Sequence, residues 1–219
     1  MTSPYIPELL LDPPTASAID KPRTLVLAHG AGQGMDSPFM ATMARLIAER
    51  GLQVVRFDLP YMARMRAEGG RRPPDPVPRL LAAWEAVLDA LSTRGLAPED
   101  LLIGGKSLGG RMASLIAAGR PVAGLVCLGY PFHPSGRPGH TRVEHLGSIQ
   151  VPTLICQGDR DPFGRPEEVS RYALTPSIKL VWIPDGDHGF KPSKRSGRTW
   201  EQNLALAADA VAGFGATLP

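Results

Sequence analysis

The chain holds only two cysteines in 219 residues, Cys127 and Cys156. Each sits inside an apolar run, which suits small buried core residues and argues against a disulfide framework. No run approaches about 18 consecutive apolar residues, so no membrane-spanning helix and no membrane partner are expected. Met1–Pro14 lacks a basic region followed by a long apolar stretch, so no secretory leader is expected. The single asparagine, Asn203, is followed by Leu204 and Ala205 and makes no glycosylation sequon. These absences make the cytoplasm the expected location. Excess charge is also scarce: 24 Lys and Arg against 21 Asp and Glu leave a net charge of +3. The positive charges are dispersed apart from one arginine-rich stretch, so a nucleic-acid partner is not expected. Neither H-E-x-x-H nor a tight His/Asp cluster occurs, which disfavours metal-dependent hydrolysis; no metal and no cofactor are expected.

What is present is a globular composition, 43% hydrophobic and 21% charged, which excludes a disordered chain. The length suits a single domain over residues 1–219 with its core at about 20–215. Short aliphatic runs at Thr24–Ala28, Gln53–Phe57, Asp100–Gly104, Leu125–Leu128, Thr153–Cys156 and Leu180–Ile183 read as strands covered on both faces. Helical spacing links them: Phe39, Met43, Leu46 and Ile47; Leu80, Trp84, Val87, Leu88 and Leu91; Met112, Leu115 and Ile116; Trp200, Leu204, Ala208 and Val211. The alternation predicts an α/β fold with a doubly wound, mostly parallel sheet and helices on both faces. Two stretches break the rhythm. The four prolines of Arg71–Pro78 predict an irregular loop, and Gly129–Val151 is too short and too broken by Pro and Gly to hold a cap domain.

The sharpest local signal is Gly104-Gly105-Lys106-Ser107-Leu108-Gly109-Gly110, a G-x-S-x-G pattern directly after a strand and before a helix. A sharp strand-to-helix turn needs glycine beside the serine, exposes the hydroxyl at the carboxyl end of the sheet, and aims the helix dipole at developing negative charge. Two nucleotide-binding alternatives fail. A P-loop would need glycine at Asp100, and the Gly30–Gly34 stretch has Met35 where a dinucleotide loop needs its third glycine.

A serine hydroxyl becomes a good nucleophile only beside a base. Of five histidines, His188 stands in Asp185–Phe190, a turn-rich loop after the last strand, late enough for the order serine, acid, histidine. The acid should follow the Thr153–Cys156 strand; Asp161 is chosen, with Asp159 as the alternative. Oxyanion donors are expected at the N–H of Leu108 and of Ala31, with Gly32 next, and His29 is read as shaping that loop by hydrogen bonding. Arg64, Arg66, Arg71 and Arg72, read as a loop, and the flanking Lys106 and Arg111 are candidates for attracting an acidic substrate; the competing reading is a solvated basic surface. Lys106, Arg72 and His133 are the expected substrate contacts. His140 and His145 share the irregular segment with His133.

With these segments in register, the chain resembles small α/β-hydrolases without a cap, the dienelactone-hydrolase-like group. It resembles more closely the bacterial relatives of an animal testis-expressed protein and of a scaffold subunit of the NSL histone-acetyltransferase complex. The matching segments are HGAGQGMDSPFM (29–40), RFDLPYM (56–62), RRPPDP (71–76), GGKSLGGRMAS (104–114), QGDRDPFG (157–164) and DGDHGF (185–190). The resemblance implies Ser107, Asp161 and His188 as a triad and leaves three classes of activity. They are a carboxylesterase or thioesterase on small acyl substrates, a peptidase or amidase, and a non-catalytic interaction protein, which would carry a broken triad.

Overall fold

The computed structural model describes residues 5–15 and 22–218. Seven strands form one sheet: β1 (Leu9–Asp12), β2 (Thr24–Ala28), β3 (Gln53–Phe57), β4 (Leu101–Lys106), β5 (Gly124–Leu128), β6 (Thr153–Gly158) and β7 (Ile178–Ile183). Their spatial order is β1-β3-β2-β4-β5-β6-β7, parallel throughout except for β1 against β3. The helices are α1 (Pro38–Ala48), α2 (Pro60–Glu68), α3 (Val77–Ser92), α4 (Leu108–Ala117), α5 (Pro166–Val169) and α6 (Trp200–Thr217). This is the doubly wound sheet that the alternation of patterns predicts.

Burial explains the two faces. Met40, Met43 and Ile47 of α1 and Leu204, Ala208 and Val211 of α6 pack with Leu25, Leu27, Leu102 and Val126 on one side of the sheet. Leu80, Trp84 and Leu88 of α3 and Met112 and Ile116 of α4 pack with Val26, Val55, Ile103 and Leu125 on the other. Alternate residues of β2, β3, β4 and β5 thus enter opposite cores, which is why these strands are apolar along their length. Order reverses at β2, where the chain steps first to β3 and later to β4. The loops leaving β2 and β4 diverge there and open a crevice at their carboxyl ends.

Three elements differ from the sequence reading. The edge strand β1 has no alternation to reveal it; it pairs antiparallel with β3 over all four residues, and Arg56 of β3 adds a side-chain clasp, donating through Nε and Nη2 to both carboxylate oxygens of Asp12 (2.8 and 2.9 Å). Arg64 and Arg66 lie not in a loop but on α2, whose weak amphipathicity hid it; Pro60 opens that helix, where its missing N–H costs nothing. Val77 and Pro78, assigned to the proline-rich loop, instead begin α3, since proline is tolerated in a first helical turn. The leader reading over Met1–Pro14 falls partly on residues 1–4, outside the described residues. No helix of the described residues is long and apolar enough to cross a membrane.

The elbow is so tight that glycine is obligatory. A Cβ on Gly109 would stand 2.3 Å from the Ala28 carbonyl oxygen and 2.7 Å from that of His29. Backbone at the end of β2 cannot yield, so Gly109→Ala should cost at least about 2 kcal/mol. Gly119→Ala, where a Cβ meets nothing within 4 Å, should stay within about 0.5 kcal/mol. Urea denaturation of the two variants checks the contrast.

Candidate active site

Ser107 sits between β4 and α4 with φ 50° and ψ −111°. Positive φ in a non-glycine residue is strained, and the surroundings hold it there. Its N–H donates to the Leu128 carbonyl (3.1 Å), while its carbonyl accepts from Arg111 in the first turn of α4. The hydroxyl is thereby raised above the carboxyl end of the sheet.

His188 Nε2 lies 2.8 Å from Ser107 Oγ, and His188 Nδ1 lies 2.7 Å from Asp161 Oδ2. Nδ1–H donates to the carboxylate, leaving the Nε2 lone pair to accept from the serine hydroxyl. Three residues from three separate loops therefore form one unbroken relay. Asp161 is fully buried yet satisfied: Oδ2 also accepts from Gln157 Nε2 (2.9 Å), and Oδ1 accepts from the Phe163 N–H (2.9 Å). Gln157, near the end of β6, is locked in turn by the N–H of Tyr130, which donates to its Oε1 (2.7 Å). The Phe163 ring packs on the imidazole with centroids 4.4 Å apart.

The acid and histidine loops meet backbone to backbone at Gly158, where a Cβ would come within 2.4 Å of the Gly186 and Asp187 carbonyls. Asp159, the alternative acid, serves this junction: its Oδ2 accepts from the Asp185 N–H (3.0 Å). It does not reach His188. Asp187 Oδ1 accepts from the N–H groups of Gly189 (2.7 Å) and Lys191 (2.9 Å) and shapes the loop that presents the imidazole. Burial, acting first, lowers the His188 pKa below its ordinary value, and the Lys106 charge adds to this; hydrogen bonding to Asp161 opposes both.

The relay opens on a cleft of about 570 Å³, a size suited to small molecules. Gly30, Ala31 and Gly32 form one wall, Phe39, Met40 and Trp200 an apolar one, and Ser107, Phe163 and His188 the floor. The Leu108 N–H is the first of α4 and so has no partner within the helix. Ala31 belongs to a loop that His29 shapes by hydrogen bonding, as the sequence reading expects. His29 is buried and accepts the Leu59 N–H at Nε2 (2.9 Å) while its Nδ1–H donates to the Gly30 carbonyl (2.6 Å). Tyr61 Oη donates to the Ala31 carbonyl (3.0 Å). Asp58 accepts the Met35 N–H (2.8 Å), and Arg66 donates to both Asp58 (2.8 Å) and Asp36 (2.7 Å). The segment RFDLPYM is thus the brace of the loop at 29–35. Its signal was visible as a motif, but its partners lie about 30 residues upstream and only the fold pairs them.

The remaining substrate contacts drawn from sequence divide. Lys106 lines the cleft. Arg72 does not: it ion-pairs with Glu68 on the exposed linker outside the cleft. His133 is also outside; it is buried, donates to the Pro134 carbonyl (2.9 Å) and faces Glu168 at 3.4 Å. Arg64 is held by Asp75 (2.7 Å). Arg64, Arg66 and Arg72 are each paired with a local carboxylate, which composition alone does not show. Among the described residues, no cluster of His, Cys, Asp or Glu has the geometry of a metal site.

A family model described as an alpha/beta hydrolase domain matches residues 21–216. The fold is similar to that of an alpha-beta serine hydrolase homologue from Coxiella burnetii, with TM-score 0.72 and 20% identity over 94% of this chain and 90% of that one. It is similar to a dienelactone hydrolase from Anabaena variabilis, with TM-score 0.69 and 23% identity over 95% and 90% of the two chains. A serine hydrolase without a lid from Xanthomonas campestris gives TM-score 0.67 and 24% identity over 94% and 88%. As in that last protein, no helical lid stands over the cleft among the described residues; the β5–β6 connection holds only a 3₁₀ turn at Glu144–Gly147.

Proposed function

Because this chain belongs to the alpha/beta hydrolase family, we propose that it is a serine hydrolase cleaving small acyl esters or thioesters through Ser107, His188 and Asp161. The observation that carries this reading is the relay of 2.7 and 2.8 Å contacts from carboxylate to imidazole to hydroxyl. In the first half-reaction Ser107 Oγ attacks the substrate carbonyl carbon while His188 Nε2 takes the hydroxyl proton. Asp161 accepts the Nδ1–H bond and stabilises the imidazolium. The oxyanion accepts hydrogen bonds from the Leu108 and Ala31 N–H groups, each worth about 2.7–4 kcal/mol of barrier. Collapse breaks the acyl–oxygen or acyl–sulfur bond, and the leaving alcohol or thiol takes the proton from His188. Water, deprotonated by the same imidazole, then hydrolyses the acyl-enzyme and regenerates Ser107.

The open cleft favours small, accessible acyl groups over buried peptide bonds. An intact triad also weighs against a purely scaffolding role, which matters because the six shared segments support a place beside the testis-expressed and NSL-scaffold relatives.

A fluorophosphonate probe tests the reading directly. Wild type should be labelled once, on the peptide containing Ser107, and both Ser107→Ala and His188→Ala should stay unlabelled. Robust labelling of Ser107→Ala would assign the nucleophile elsewhere. Parallel turnover of matched esters, thioesters and anilides separates acyl-ester from amide chemistry.

A further inference from the structure

Lys106, the residue before the nucleophile, does not end in the open cleft. Its Nζ is buried and has no hydrogen-bond partner among the described residues. It stands 5.5 Å from the centroid of the Phe39 ring. On the other side it approaches Gly129, whose backbone has φ +68°. The place a Cβ on Gly129 would occupy is 2.8 Å from Lys106 Nζ, 3.0 Å from the His188 carbonyl oxygen and 3.4 Å from His188 Nδ1. The absent side chain of Gly129 is thus what lets an ammonium and the edge of the imidazole share one enclosed spot. A buried ammonium without hydrogen bonds disfavours folding, and an aromatic face offsets only part of that.

We propose that Lys106 is a positioning residue of the triad, its ammonium held beside His188 so that the imidazole remains the unprotonated base. The inference rests on the assignment of Ser107 and His188 above. The charged groups facing the imidazole are Asp161 from the loop after β6, Asp187 from its own loop and Lys106 from the end of β4. The two carboxylates favour protonation of the ring, and Lys106 opposes them. Desolvation pulls the Lys106 pKa down to about 8, against weaker support from Asp161 and Asp187. The ammonium therefore carries its charge throughout the range in which His188 titrates, below the ordinary histidine value. Its fixed place on β4 also separates this role from substrate recognition: an enclosed Nζ acts through space on the ring without touching an acyl group.

The test compares wild type with Lys106→Met and Lys106→Gln, two neutral residues of similar reach. His188 is titrated by NMR through its imidazole Hε1 signal, assigned by its loss in His188→Ala. In parallel, inactivation by a neutral fluorophosphonate is followed from about pH 5 to about pH 10. Removing the charge should move the His188 titration and the acid limb of inactivation upward by about 1 pH unit. Inactivation near pH 5 should then be about 10-fold slower, and the difference should vanish above about pH 8, where the imidazole is neutral in both proteins. Superimposable titrations, or an equal loss of rate at every pH, would overturn the proposal; the second pattern marks a packing or binding role. A wild type inert to the probe at every pH defeats the hydrolase reading instead, and the imidazole titration still decides the role of Lys106.

Discussion

Ser107→Ala is expected to lower ester turnover by a factor of about 10⁴ to 10⁶ while leaving the fold intact. The size follows from the role of the hydroxyl as the only atom joining the relay to the substrate. Without it, the Leu108 and Ala31 donors still polarise a carbonyl, but water must attack unassisted by a covalent step. The elbow itself should not collapse, because its geometry is imposed by Ala28, Gly105 and Gly109 rather than by the hydroxyl. Alanine keeps the Cβ and hence the strain at φ 50°. Ser107→Gly removes both hydroxyl and strain, and should be as inactive but about 1 kcal/mol more stable. Turnover and urea denaturation of the same two variants check this pair of expectations. Retention of more than about one hundredth of wild-type turnover in Ser107→Ala contradicts the assignment.

The second large effect is expected at the acid. Asp161→Asn should reduce kcat by about 10⁴ with little change in KM, because an amide cannot hold the imidazole in the tautomer that presents Nε2 as an acceptor. Asp159→Asn should cost less than about 10-fold in kcat and appear mainly as lost stability, since this carboxylate braces the Asp185 N–H and touches neither His188 nor Ser107. Steady-state kinetics with one activated ester distinguish the two carboxylates. Equal losses at both positions would show that the acid loop acts as a unit. Gln157→Leu should weaken the same step indirectly, by leaving Asp161 with one buried hydrogen bond fewer.

These expectations began in local signals, and the locality explains which readings carried over. Six of the seven strands were legible because apolar runs need no partner to be recognised, although β7, expected to be covered on both faces, lies at the sheet edge with only Ile183 fully buried. The elbow was legible because the demand for glycine at 105 and 109 arises within a few residues of Ser107. β1 and α2 were not legible. One is a four-residue edge held by a clasp to Arg56, and the other is a helix whose buried residues gather at its first turn. The substrate contacts show the same divide. Arg72 looked available in a basic stretch, but it ion-pairs with Glu68 at the end of α2. His133 looked like part of a loop rim, but the loop folds it inward.

The sequence by itself determined the type of fold, the turn that raises Ser107, and the order in which an acid and a histidine follow it, because each depends on residues near one another in the chain. The tertiary structure alone decided that Asp161 rather than Asp159 reaches the imidazole, that Gln157 and Tyr61 hold the site's frame, and that the Lys106 ammonium ends buried beside Gly129. Those outcomes depend on which loops the sheet brings together at its carboxyl edge, and a distance between loops is a property of packing that no local pattern encodes.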